Sequence, residues 1–190
     1  MQRRKFMIGV GSLAAGSAAA MGTGAFTSVT ASRDVDVEVA SDASAYLRLE
    51  GAGGPNAPYV TDDGSSGTLG ITLDPSNSTA AGGEGVNPDA LTRIDDLFVI
   101  ENQGTQSVDV SIAKSGDNSG LVCFFANDAQ GASDPYDESN GSTARIDGSG
   151  NDVTLSPGES VYVSLQIDTR GEGVGDGDEL LDTVVVEAVA

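Results

Sequence analysis

Short segments with strictly alternating apolar and polar residues are the most regular feature of this chain. Segments 33–39, 108–112 and 160–168 each place valine, leucine or isoleucine at every second position, with polar or charged residues between them. Because successive side chains of a β-strand point to opposite faces, this period of two predicts strands with one buried face.

The first alternating segment reads R-D-V-D-V-E-V and covers residues 33–39. Its three valines, Val35, Val37 and Val39, share one face, and the three acidic residues between them share the other. A strand near a chain end can leave its own domain and pair with the open sheet edge of a neighbour. We therefore expect these valines to be donor-strand residues in a head-to-tail assembly. Pairing within the chain's own sheet is the alternative.

The stretch from Asp96 to Lys114 predicts the centre of the fold. Leu97–Ile100 is apolar on both faces, which is typical of a central strand that is covered on both sides. A polar break at 102–106 contains a glycine and separates this run from the alternating strand 108–112. Two such runs around a short glycine-containing break predict a β-hairpin.

Further apolar or alternating runs predict additional strands, at 45–50, 68–73, 121–126, 143–146, 152–155 and 180–189. The segments between them are rich in Gly, Pro, Asn and Asp. Asn87-Pro88 predicts one helical turn at 87–91, and Pro157-Gly158 predicts a type II turn at 156–159. Nine or ten short strands with almost no helix predict an all-β fold, an antiparallel β-sandwich of jelly-roll type. An immunoglobulin-like sandwich is the alternative.

The N-terminus has the composition of an export signal. Arg3, Arg4 and Lys5 precede an uncharged run rich in Gly, Ala and Ser, and the paired arginines are similar to those of a twin-arginine signal. We expect residues 1–25 to be this signal, with a boundary that extends to about residue 31. Residues 26–190 then form a single acidic domain, located outside the cell or at its surface. A retained N-terminal anchor is the alternative.

The charge of the chain is strongly negative. Its 29 acidic and 9 basic residues give −20, and without the three bases of the N-terminus the remainder carries −23. At about 1 M salt the screening length falls to about 3 Å, so a protein adapted to brine tolerates such a charge. The sequence favours salt adaptation over an acidic protein of ordinary salt or a disordered chain. It offers no basic patch for nucleic acid, whether DNA or RNA.

The residue inventory excludes several kinds of catalytic site. The chain has no histidine, so it holds neither a Ser-His-Asp triad nor a His-ligated zinc site. Its single cysteine, Cys123, cannot form an intrachain disulfide and is expected to be a small buried apolar residue. We expect no catalytic residues, no bound cofactor and no enzymatic activity.

Two weaker signals concern ligands and modification. The Gly- and acid-rich loop 171–182 supplies oxygen ligands of the kind that calcium prefers, although without the spacing of an EF-hand. Its candidates are Asp176, Asp178, Glu179 and Asp182. Asn77-Ser78-Thr79 and Asn140-Gly141-Ser142 are N-glycosylation acceptor tripeptides, so Asn77 and Asn140 are candidate glycosylation sites.

Three motifs resemble known proteins: G-T-G-A-F-T-S-V-T-A-S-R at 22–33, D-L-F-V-I-E-N-Q-G at 96–104, and L-S-P-G-E-S-V-Y-V-S-L-Q-I-D at 155–168. Together they resemble small acidic secreted proteins of haloarchaea. The arrangement is also similar to the TasA/camelysin group of jelly-roll biofilm-fibre proteins and archaeal bundling pili. That resemblance implies a fibre subunit. The metalloprotease activity described for camelysin is not implied, because this chain has no histidine.

These observations lead to one expected function and one alternative. We expect a secreted, salt-adapted, non-enzymatic structural protein, a subunit of a fibre, pilus or biofilm matrix that self-associates into filaments by donor-strand exchange. No stable membrane anchor is expected after signal removal. The alternative is a secreted β-sandwich module that binds a glycan or calcium.

Overall fold

The structure is a computed structural model that describes residues 33, 37–61, 67–77, 80 and 82–190. A compact unit spans Val39–Ala190. The described residues of this unit form ten strands, β1 Leu47–Gly51, β2 Val60–Thr61, β3 Gly70–Ile71, β4 Leu91–Asn102, β5 Val108–Ser115, β6 Val122–Asn127, β7 Thr143–Arg145, β8 Val153–Leu155, β9 Ser160–Asp168 and β10 Thr183–Val189. Five short 3₁₀-helices lie at Asp42–Ser44, Gly54–Tyr59, Pro75–Asn77, Ser119–Leu121 and Glu138–Asn140.

Two antiparallel sheets form the body of this unit. The larger sheet has five strands in the order β1-β4-β9-β6-β7, and the smaller has three in the order β10-β5-β8. A separate pair, β2 and β3, stands beside them. One cluster of buried apolar residues draws on strands of both sheets, with Phe98, Phe124 and Leu165 from the larger and Val110 and Ile112 from the smaller. The prediction of an all-β antiparallel sandwich is confirmed.

The predicted hairpin between β4 and β5 is wrong. β4 pairs with β1 and β9 in the larger sheet, whereas β5 pairs with β10 and β8 in the smaller sheet. The buried side chain of Asn102 explains the difference. Its amide nitrogen donates to the carbonyl oxygens of Gln106 and Leu155, and its oxygen accepts from the Gly104 backbone N–H. The polar break is therefore an arch that carries the chain from one sheet to the other.

A β-bulge in β4 explains why the run at 97–100 is apolar on both faces. The pairing of β4 with β9 shifts between Ile94 and Phe98, where Asp96 adopts a positive φ of 48°. A β-bulge of this kind places two residues of one strand opposite one residue of its partner. Leu97 and Phe98 are consequently both buried in the core, while Val99 is half-buried.

Three further predictions concern local structure. The type II turn at 156–159 is confirmed: Gly158 has a φ of 81°, and the Glu159 N–H donates to the Ser156 carbonyl. Segment 87–91 is a turn without helix, because Asp89 takes a positive φ of 55°. Cys123 is half-buried rather than buried, since its neighbours Val122 and Phe124 occupy the core face of β6.

Three of the predicted strands differ from the observed structure. Residues 37–39 belong to no strand, and residues 34–36, which include Val35, lie outside the described residues. The expected strand at 68–73 is reduced to Gly70–Ile71. The last strand is not buried as expected, because β10 is an edge strand with Val185 and Val189 exposed. Among the described residues there is no helix long and apolar enough to cross a membrane.

Candidate functional site

One side of the sandwich is closed by a buried charge cluster around Asp147. Its side chain is 0 % exposed and accepts the Phe124 backbone N–H from β6 at 2.8 Å. Lys114 Nζ of β5 lies 2.5 Å from Oδ2, and the Arg145 guanidinium at the end of β7 donates to both oxygens at 3.1 Å. The backbone next to Asp147 also contacts β5, because the Ile112 N–H donates to the Ile146 carbonyl. These contacts tie the smaller sheet to the larger one.

The protonation of Asp147 reflects this environment. Burial alone would raise the pKa of its carboxyl group. The hydrogen bonds from Arg145, Lys114 and the Phe124 N–H outweigh burial and hold the pKa below its usual value. The carboxylate is therefore charged at neutral pH and compensated by two cations.

In the part of the chain that the structure describes, the other side of the sandwich is open at strand β10. β10 pairs with β5 from Thr183 to Val189, and its other edge has no partner strand among the described residues. An edge strand presents alternate backbone N–H and C=O groups that are free to pair with another chain. β10 is seven residues long and rich in valine. It contains neither lysine nor proline, two usual protections of an edge, and its single charged residue is Glu187.

A groove of about 980 Å³ runs along this open side. We call it the β10 groove. Its apolar lining comes from both sheets and from the β3 region, and includes Leu49, Leu69, Ile71, Leu73, Phe98, Phe124, Leu165, Leu180, Leu181, Val184 and Val186. Most residues of this lining outside the larger sheet are only half-buried, although they pack against the core. At the Asp147 side, by contrast, Ile112 and Ile146 are fully buried. Within the described part of the chain, the core is thus incompletely covered beside β10.

The rim of the β10 groove is acidic. Seven carboxylate side chains line it, namely Asp42, Asp74, Glu84, Asp176, Asp178, Glu179 and Asp182. The last four are the calcium candidates of the sequence analysis. Among the described residues, however, no three or more Asp, Glu or Cys side chains form a group that could hold a metal ion. Calcium binding at this loop stays a prediction from the sequence.

The predicted donor residues Val37 and Val39 have side chains that are exposed to solvent. Their side chains are 84 % and 99 % exposed, and both belong to a segment without regular structure. Valine is usually buried in folded proteins, so the exposure of these two side chains is unusual.

Aromatic side chains do not form an exposed platform in the described part of the chain. Tyr46 is the single aromatic residue there that is largely exposed, at 85 %. Tyr136 is held against the larger sheet, where its hydroxyl donates to Asp95 at 2.6 Å, its ring packs edge-on against Phe125, and Arg93 lies over its face. The glycan-binding alternative therefore has no stacking surface among these residues.

The remaining sequence candidates are placed as follows. Arg3 and Arg4 lie outside the described residues. Asn77 ends the 3₁₀-helix Pro75–Asn77 beside β3, and Asn140 ends the 3₁₀-helix Glu138–Asn140. The two asparagines thus lie at the ends of different 3₁₀-helices of the unit, and Ser78 and Thr79 lie outside the described residues.

Sequence reasoning missed the Asp147 cluster. The cluster joins three residues that are far apart in sequence or belong to a short, weakly patterned strand. One signal was available: basic residues are so scarce in this chain that each has a high chance of a specific structural contact. All five of those within the β unit are engaged internally, namely Arg48, Arg93, Lys114, Arg145 and Arg170.

The fold and the groove of the described residues together define an acidic β-sandwich with one closed and one open side. Comparison with protein families assigns the chain more specifically. The family described as "Protein of unknown function (DUF1102)" matches residues 39–189, so the chain belongs to this family. The matched residues coincide closely with the β unit. No curated protein and no solved structure matches the chain.

Proposed function

We propose that this protein is an extracellular structural subunit that assembles into filaments, in which residues 33–39 of one copy fill the β10 groove of the next. The observation that carries this proposal is the open edge of β10 above an incompletely covered core. The protein acts by assembly and not by catalysis. Its expected place is the cell surface or an extracellular matrix.

The acceptor side supports the proposal through its shape and chemistry. A strand beside β10 would extend the three-stranded sheet to four and would lie over half-buried side chains such as Leu49, Ile71 and Val186. Backbone groups of β10 would supply affinity, and the apolar groove would accept every second side chain of the incoming strand. Burial of one valine side chain stabilises by about 1.5–3 kcal/mol.

The donor side fits this acceptor in length and pattern. Segment 33–39 has seven residues, as does β10, and seven residues of strand span about 23 Å. Its three valines would face the groove while its acidic residues remain in solvent. Such a contact joins two different surfaces of the molecule, so each added copy presents a new open groove. The assembly therefore grows as a filament instead of closing as a dimer.

Charge makes this assembly dependent on salt. The acidic residues of the donor segment approach a groove rim that itself carries seven carboxylates. Among the described residues, no basic side chain lines the groove to offset them. At low ionic strength this repulsion reaches tens of ångströms, whereas about 1 M salt confines it to about 3 Å. We therefore propose a protein that folds and assembles in brine.

We expect the mature chain, residues 26–190, to form filaments in 3 M KCl that are visible by electron microscopy and sediment rapidly. A chain lacking residues 26–39 should stay monomeric under the same conditions, since it keeps the groove and loses the donor. Analytical ultracentrifugation over a range of concentrations measures both. A monomeric mature chain at high concentration, or polymers of the truncated chain, would rule out donor-strand assembly.

A further inference from the structure

The β10 groove combines an apolar lining with a rim of one charge. Half-buried side chains such as Leu69, Ile71 and Val186 line it, and its rim carries seven carboxylates. Among the described residues that line the groove, none is lysine or arginine. An exposed apolar surface marks a site for a partner, and the charge around it determines which partners are attracted. The lining and the rim together therefore define the chemistry of the partner.

The rim carboxylates have no cationic partner in the part of the chain that the structure describes. None of the ion pairs found there includes a rim residue. The five basic side chains of the β unit do not line the groove. Four rim residues are exposed and have side chains without a hydrogen bond in that part of the chain, namely Glu84, Asp176, Glu179 and Asp182. The negative charge of the rim is thus available to a ligand.

Segment 33–39 matches the lining of the groove but not its rim. Its valines suit the apolar lining, whereas Asp34, Asp36 and Glu38 have the same sign of charge as the rim. A cleft with charges of one sign and apolar walls concentrates ligands of the opposite sign. Lysine and arginine also have apolar stems that lie along an apolar surface while the charged head remains in water. A strand with basic residues at the alternate positions therefore fits both the lining and the rim.

We propose that the β10 groove binds an extended segment of a second protein, in which apolar residues alternate with lysine or arginine. This segment pairs with the edge of β10 that has no partner strand among the described residues. Its apolar side chains enter the groove, its basic side chains face the rim, and it competes with residues 33–39 of other copies. The inference rests on the acceptor half of the proposed function, the groove beside β10. It does not require residues 33–39 to be the donor.

Two peptides that differ only in charge test this proposal. The native peptide is residues 33–39, and the basic peptide is the same segment with Asp34→Lys, Asp36→Lys and Glu38→Lys. Both keep the three valines, so they offer the same apolar side chains to the groove. A difference between their affinities therefore reports the charge of the rim.

The peptides are titrated with the mature chain carrying Val37→Ser and Val39→Ser, which weakens the competing donor segment of the protein itself. Both side chains are exposed, so these substitutions remove no core contact. Fluorescence anisotropy of the labelled peptides in 1 M and 3 M KCl gives the affinities. In 1 M KCl we expect the basic peptide to bind about tenfold more tightly than the native one. The difference should narrow in 3 M KCl, because salt screens attraction and repulsion alike.

Three controls locate the binding in the groove. The basic peptide with Val→Ser at each of its three valines keeps the charge and should bind at least about tenfold more weakly. In the protein, Asp176→Asn/Asp182→Asn should weaken binding of the basic peptide but not of the native one. Asp128→Asn/Asp152→Asn removes the same charge at exposed positions outside the β10 groove and should leave both affinities unchanged.

The outcomes separate this inference from filament assembly. A basic peptide that binds no more tightly than the native peptide would overturn the inference, while binding of the native peptide alone would still support residues 33–39 as the donor. Binding of the basic peptide alone would support the inference and reject that donor. Equal binding of the serine version, or equal losses in the two Asp→Asn pairs, would show that charge alone holds the peptide and would also overturn the inference.

Discussion

Replacing Asp147 with asparagine is expected to destabilise the fold more than any other single charge-neutralising change. The substitution leaves the cations of Lys114 and Arg145 without their buried anion at a place where the two sheets are tied together. Removing one partner of a buried ion pair costs about 3–5 kcal/mol. We expect about 3 kcal/mol, the lower end of that range, because Arg145 is partly exposed. Urea unfolding in 3 M KCl measures this loss.

Asp168→Asn is the matched control. Like Asp147, Asp168 pairs with an arginine two residues away in the sequence. In the pair of Asp168 and Arg170, however, both side chains are well exposed. Exposed ion pairs contribute little to stability, so this variant should unfold near the wild-type midpoint. Equal losses in the two variants would show that Asp147 is not a special tie between the sheets.

The pH dependence of stability provides a second readout of the Asp147 cluster. Since the folded pKa of Asp147 is lowered, its contribution is fully present above its unfolded pKa of about 3.9. That contribution is lost as the pH falls through the lower, folded pKa. Between pH 5 and pH 2 the wild-type protein should therefore lose more unfolding free energy than Asp147→Asn. Parallel curves would contradict the assignment.

The double substitution Val37→Asp/Val39→Asp is expected to abolish filaments without unfolding the subunit. Both valines are almost fully exposed in the chain, so the fold loses no core contact. In the proposed assembly each valine contributes about 1.5–3 kcal/mol of burial. Because 1.4 kcal/mol is tenfold in affinity, losing both weakens subunit association at least about a hundredfold. Placing carboxylates in an apolar groove adds a further cost.

A control with the same added charge separates burial from repulsion. Tyr46→Asp/Gln103→Asp introduces two carboxylates at exposed positions outside the donor segment and the β10 groove. We expect this control to form filaments in 3 M KCl, as sedimentation velocity would show. If both double variants fail to assemble, total charge and not the donor valines governs association.

The sequence was most informative where alternation was strict. Segment 160–168 predicts β9 with its observed bounds, and the Pro157-Gly158 pair predicts the turn before it, because these features depend on local geometry alone. Alternation shows that a strand has an inner face but not which strand lies beside it. β4 and β5 lie in different sheets, and Asn102 stabilises this arrangement with three hydrogen bonds. Two of these bonds close a local loop at 102–106. In the sequence, that loop has the composition of a hairpin turn.

In the candidate site, the sequence predicts the donor segment but not the acceptor groove. The valines of the donor segment stand out in the sequence because their period is local. The acceptor is assembled from β1, the β3 region and β10, which are over a hundred residues apart at the extremes. The C-terminal apolar run suggested a buried strand, since nothing in Thr183–Val189 reveals that one of its edges has no partner strand among the described residues. Whether a strand lies at the edge of a sheet depends on the order of all the strands, which the sequence of one segment does not encode.

Hydrogen exchange at β10 tests donor-strand assembly most directly, because alternate backbone N–H groups of an unpaired edge strand exchange with solvent and become protected when another strand pairs with them. The comparison uses chain 26–190 and chain 40–190 in 3 M KCl, followed residue by residue. The account predicts slow exchange along Thr183–Val189 in the longer chain, increasing with protein concentration. It also predicts fast exchange of alternate amides in the shorter chain, and renewed protection when a peptide of residues 33–39 is added. Equal exchange of β10 in both chains, or protection at β1 in its place, would contradict it.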